Sequence, residues 1–127
     1  MNVVDSSGWL EYFIEGPNAK TFYGPIKDVA SLVVPTITIV EVYKRILGER
    51  DEKEALRAIG PMLRGRVADL NPDTAIEAAR IGVALGLPLA DSVILATARR
   101  YDAVLWTQDA HFRGMDQVRY VPAKTGK

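Results

Sequence analysis

The chain has 127 residues, 48% of them hydrophobic and 25% charged, a composition that suits one folded domain over residues 1–127 and excludes a disordered chain. It contains no cysteine, which excludes a disulfide framework and any Cys-ligated zinc or iron–sulfur centre. Its 16 Lys and Arg balance 16 Asp and Glu, which at face value argues against a nucleic-acid binder; if four acids share one metal site, the rest of the molecule carries a surplus of four positive charges, and steering depends on where charge lies.

The N-terminus carries no basic leader, and no apolar window approaches the roughly 18 residues of a membrane span, so a cytoplasmic protein without a membrane anchor is expected. Asn2-Val3-Val4 reads as a buried strand ending at Asp5. Ser6 and Ser7 offer a cap to a helix whose apolar positions are Trp9, Leu10, Phe13 and Ile14. Gly16-Pro17-Asn18 breaks that helix, and Asn18 opens another that runs to about Val29 and is interrupted at Pro25. Residues 31–35 form the second strand, and a helix over 38–47 follows, stopped at Gly48. Residues 51–64 form an amphipathic helix with Ala55, Leu56, Ile59, Met62 and Leu63 inward. Residues 66–70 are a weak strand. Asn71-Pro72 starts a helix with a cap residue and a proline at the first position, and Gly86 ends it. A further helix covers 91–101 and a strand 103–107, with Asp109 just past its end. A last strand covers 118–121, and 122–127 reads as a loose tail. About five strands alternating with helices predict a three-layer α/β/α architecture around a mostly parallel sheet.

Four acids stand out. In open α/β sheets, ligands bind outside the carboxyl ends of the strands. Asp5 and Asp109 lie at or just past such ends, Glu41 follows the second strand within about two helical turns, and Asp91 stands in the first turn of an apolar helix. Carboxylates packed together repel, and hard divalent cations resolve that conflict: magnesium prefers oxygen ligands, lowers the pKa of bound water and stabilises charge on a phosphodiester. Each acid also has a purely structural explanation. Asp5 suits a helix cap, Glu41 stands three residues after Thr38 as in a capping box, Asp91 gains from the helix dipole, and Asp109 suits a turn. Ser6 and Thr107 are supporting candidates, each able to offer a hydroxyl to a metal-bound water or to a cap. His111 is the only histidine, which removes a His-based two-metal or zinc cluster.

The segments around these acids resemble the PIN domain, and in particular the VapC-type toxins of bacterial and archaeal toxin–antitoxin pairs. The matching pieces are Val3-Val4-Asp5-Ser6-Ser7, residues 36–42 around Glu41, residues 87–96 around Asp91, and Leu105-Trp106-Thr107-Gln108-Asp109-Ala110-His111-Phe112. The resemblance implies a parallel sheet between helices and a metal-dependent endoribonuclease. It implies that Asp5, Glu41, Asp91 and Asp109 hold Mg²⁺, with Mn²⁺ able to substitute, directly or through waters. It also implies a homodimer and an antitoxin protein bound near the acidic groove, the candidate helices being residues 9–14 and 38–47. Two alternatives stand beside it. One is a binding module of the same fold without nuclease activity. The other is a different acidic-site phosphohydrolase of α/β type. A haloacid dehalogenase-like enzyme wants a second Asp two residues after the first, where this chain has Ser7.

Overall fold

The structure, a computed structural model, describes residues 1–124. Five strands form one sheet: β1 (Asn2–Val4), β2 (Leu32–Pro35), β3 (Arg66–Ala68), β4 (Val104–Thr107) and β5 (Val118–Tyr120). They lie in the order β3-β2-β1-β4-β5 and every pairing is parallel. Successive residues of a strand point to opposite faces, and here both faces are covered. Val3, Val33 and Leu105 join a core with α5 (Pro72–Leu85) and α6 (Leu89–Arg100). Val4, Leu32 and Val34 join the opposite core, with Trp9 of α1 (Ser6–Phe13), Phe22 of α2 (Ala19–Lys27), Val42 of α3 (Thr36–Glu49) and Met62 of α4 (Glu52–Leu63). Burial on both faces is why the strands read as unbroken apolar runs. The three-layer expectation is met, and the sheet is parallel throughout.

The connections place the functional end. From β1 the chain steps through α1 and α2 to β2, then through α3 and α4 to β3, always outward on one side. It then returns through α5 and α6 to β4, on the other side of β1. The strand order therefore reverses between β1 and β4.

Several local expectations are corrected. Helix α3 starts at Thr36 behind Pro35, two residues earlier than expected, and it runs through Gly48 to Glu49. The glycine does not stop it; the cap is Arg50, whose N–H donates to the Ile46 carbonyl. Asn18 makes no capping bond; its side-chain amide reaches Gln108 and the carbonyl of Pro122 instead. In α4 the buried residues are Ala55, Ala58 and Met62, while Leu56 and Leu63 are exposed. At about 100° per residue, Ala55, Ala58 and Met62 share one face and the two leucines fall to its side. Of the expected tail, residues 122–124 carry no regular structure and 125–127 lie outside the described residues.

Gly8 shows how tightly the first helix is seated. A Cβ there would lie 2.7 Å from Phe22 and from Val4, both fully buried. Gly8→Ala is therefore expected to lose stability, because overpacking costs about 1–3 kcal/mol against the ~1 kcal/mol that Ala gains over Gly in a helix. Urea denaturation checks this, and a variant as stable as the parent would contradict the packing.

Candidate metal centre

Ligands of open α/β sheets sit beyond the strand ends where the strand order reverses, which here is the crevice between β1 and β4. Asp5 follows β1 directly and Asp109 lies two residues past β4. Helix α6 packs against β1, β2 and β4 and delivers Asp91 from its first turn.

Asp5 is 2% exposed. Its Oδ1 accepts from the Gly8 N–H at 3.0 Å, capping α1, and from the Ser7 hydroxyl at 2.7 Å. Its Oδ2 accepts from the Thr107 hydroxyl at 2.7 Å. The same Thr107 oxygen accepts from the Asp109 N–H at 2.8 Å. One hydroxyl thus links the two acids across the reversal point. Burial pushes the Asp5 carboxyl up from 3.8 to about 6, against the lowering effect of the Ser7, Thr107 and Gly8 bonds; the charge of Asp109 adds to the rise.

Asp91, Asp109 and His111 form the tightest cluster among the described residues, with a donor atom from each within 4.8 Å of the others. Asp91 is 8% exposed. Its carboxyl is held well above the usual range, first by burial, then by the charge and hydrogen bond of Asp109, with a contribution from Asp5. Nδ1 of His111 lies 2.7 Å from Asp109 Oδ1 and 3.3 Å from Asp91 Oδ2. The hydrogen bond to Asp109 is the main reason that the His111 pKa is raised. Asp109 also accepts from the His111 backbone N–H at 2.9 Å, as an ordinary turn residue does.

Glu41 is held differently. The Ser6 hydroxyl donates to its Oε1 at 2.5 Å, so it reaches the site through the residue next to Asp5 and is outside the tightest cluster. The expected capping box with Thr38 is absent, because α3 begins before it; the Thr38 hydroxyl is buried without a partner. Ser6 and Thr107, both supporting candidates, are bound to candidate acids.

Three residues of the site were not singled out from the sequence. His111 is a lone histidine, yet proximity in space to two carboxylates matters more than the number of histidines. Ser7 has the local look of a helix cap, but the cap is Asp5, and Ser7 donates to it. Gln108 had no signal beyond lying between Thr107 and Asp109. Its N–H donates to the Ser7 hydroxyl at 3.2 Å, and its side chain contacts Asn18 and Glu11.

The donors fit a hard divalent cation: carboxylate oxygens predominate, and burial and mutual repulsion leave two of them above their usual range. A cation bound there would favour the ionised forms that the bare site disfavours.

The family model described as PIN domain matches residues 3–118. No curated protein sequence matches the chain. Among solved structures, a toxin–antitoxin complex from Klebsiella pneumoniae aligns with TM-score 0.79 at 21% identity, covering 94% of this chain and 96% of that one. VapC20 from Mycobacterium tuberculosis, a toxin that cleaves the sarcin–ricin loop, aligns with TM-score 0.77 at 17% identity over 94% and 99% of the two chains. DNA-bound VapBC from Salmonella typhimurium gives 0.73 at 16% identity over 95% and 96%. At these identities the likeness is one of fold.

The raised Asp5 pKa makes a prediction for the metal-free chain. The folded form binds the proton more tightly than the unfolded form, so this contribution is fully present below about 4 and is lost as pH rises through about 6. Stability should therefore fall between pH 4 and pH 7 by an amount on the order of 2–3 kcal/mol from this group, and Asp5→Asn should flatten the slope. Urea titrations in the presence of EDTA measure it; an unchanged slope in the variant would contradict the assignment.

Proposed function

The chain belongs to the PIN domain family, and from that membership we propose that it is a Mg²⁺-dependent endoribonuclease, the toxin of a VapBC-type toxin–antitoxin pair. The observation that carries the reading is the meeting of Asp5, Asp91 and Asp109 at the reversal point of the sheet, with Glu41 joined through Ser6. A bound Mg²⁺ or Mn²⁺ would supply an activated water and neutralise charge on the phosphate oxygens. The chain's own residues do the positioning. Thr107 and Ser7 hold both oxygens of Asp5, the first turn of α6 sets Asp91, and His111 braces Asp109. A phosphodiester is the kind of substrate that such an oxygen-liganded ion activates, and RNA is favoured because a solved toxin of the same fold cleaves the sarcin–ricin loop.

Two partners belong to the same proposal. An antitoxin fits the groove of about 460 Å³ between α1, α3 and α4, where Leu10, Phe13, Ile46 and Ala58 give an apolar floor; the neighbouring folds include toxin–antitoxin complexes. A second copy fits the face of α5 and the start of α6, where Val83 is 89% and Leu89 79% exposed. The substrate and the antitoxin are cytoplasmic molecules, and the proposal places the protein with them.

Asp5→Asn is expected to keep the fold and to lower RNA cleavage by more than about 100-fold, beyond what outer-shell losses cost at metal sites. Glu41→Gln is expected to lose about 10–100-fold, while Thr38→Val, which removes an unpartnered hydroxyl, keeps nearly full activity. The assay is RNA cleavage with Mg²⁺, Mn²⁺ or EDTA, alongside circular dichroism. Undiminished metal-dependent cleavage by Asp5→Asn would overturn the function, and a larger loss from Thr38→Val than from Glu41→Gln would overturn the role of Glu41.

A further inference from the structure

A second cleft, of about 780 Å³, opens between α1 and α2 beside the acidic centre. Tyr12, Phe13, Pro17, Lys20, Tyr23 and Lys27 line it. Its aromatic wall is continuous: the Tyr12 ring lies 5.4 Å from Phe13 and 6.2 Å from Tyr23, centre to centre. Tyr23 is 56% exposed. The Lys27 ammonium sits 5.1 Å from the Tyr23 ring centre. Among the described residues neither Lys20 nor Lys27 is in an ion pair. In the groove between α1, α3 and α4, by contrast, Arg45 and Arg57 are paired with Glu49 and Glu54. Glu15 is the only acid of the cleft, so its lining carries a net positive charge.

The cleft is also tied to the acidic centre. Its rim includes Gly16, Pro17 and Ala19, and Asn18 between them donates from its side-chain amide to Gln108 Oε1 at 2.9 Å. Gln108 directly precedes Asp109. The buried Glu11 carboxylate locks the same turn: it accepts from the Asn18 N–H at 2.6 Å and from the Gln108 side-chain amide at 3.3 Å. Gly16 leaves room for that carboxylate, since a Cβ there would lie 2.4 Å from it. These bonds tie the loop between α1 and α2 to the loop that carries Asp109.

We propose that this cleft is an accessory subsite for single-stranded RNA, with a nucleobase stacked on Tyr23 and the flanking phosphates on Lys20 and Lys27. Aromatic platforms interleaved with unpaired cations bind single strands with little sequence preference, because every base has a π-face and every linkage a phosphate. The inference rests on the ribonuclease reading above and extends it: the subsite grips a segment away from the cut, and the Glu11–Asn18–Gln108 clasp sets its distance from the acids.

The test measures fluorescence anisotropy of a labelled single-stranded RNA of mixed sequence, and of its duplex, with Mn²⁺ present. The Asp5→Asn protein is the parent, so that binding is read without cleavage. Adding Tyr23→Ala should weaken single-strand binding about tenfold and leave duplex binding nearly unchanged. Adding Lys20→Ala and Lys27→Ala should lower the slope of log affinity against log salt by about 0.7 per lysine. In the otherwise wild-type protein the same substitutions should leave Mn²⁺ affinity, measured by calorimetry, unchanged. Variants that bind single strands as the parent does would overturn the subsite, while wild-type RNA cleavage would leave the ribonuclease reading standing. If those variants keep RNA affinity and lose only inhibition by an antitoxin, the cleft is a protein-docking surface and the inference fails. If the wild type cleaves no RNA and the parent binds none, both readings fail.

Discussion

Carboxylates in one small volume repel one another, and burial adds to the difficulty of charging them. Asp5 and Asp91 are nearly inaccessible and both are affected by Asp109. Most features around the strand ends are ways of living with that constraint. The α1 cap gives Asp5 a backbone donor, and Ser7 and Thr107 add two hydroxyl donors. Asp109 has its own turn and the imidazole of His111. The bonds to Asp5 reduce the cost of its ionisation without removing it, and a cation bound there would offset the rest.

The sheet topology supplies the rest. A reversal of strand order leaves no crossover helix above the junction of β1 and β4, and the acids gather at that reversal point. Thr107 is buried at the end of β4 and contacts both Asp5 and the backbone of Asp109. A shift of β4 by one residue would turn Thr107 to the other face and separate the acids. The apolar registry Val3–Leu105 and Val4–Trp106 thus fixes the polar geometry a few ångströms further along.

Much of this was legible in the sequence. Strands buried on both faces show as apolar runs, and caps such as Asn71 before Pro72 act locally, so both are visible in the sequence. Asp5 shows that a structural and a chemical reading need not compete: it caps α1 and also stands at the reversal point. Local rules failed where tertiary contacts outweigh them. Pro35 starts α3 early and dissolves the apparent capping box of Thr38 and Glu41, whose partner is Ser6, far away in sequence. Asn18 has the look of a cap but is spent on Gln108, and Gly48 remains helical. His111 was hidden for a related reason, since its role depends on neighbours brought together by the fold.

The central claim is that the buried acids are a metal centre whose ionisation a divalent cation completes. Calorimetric titration of the wild-type chain with Mn²⁺ at pH 6, repeated in two buffers of different ionisation enthalpy, tests it directly. Ligating carboxylates must shed their protons, so the account predicts release of about one proton per ion at pH 6 and nearly none at pH 8. Binding with no proton release at pH 6, or no binding at either pH, would contradict it.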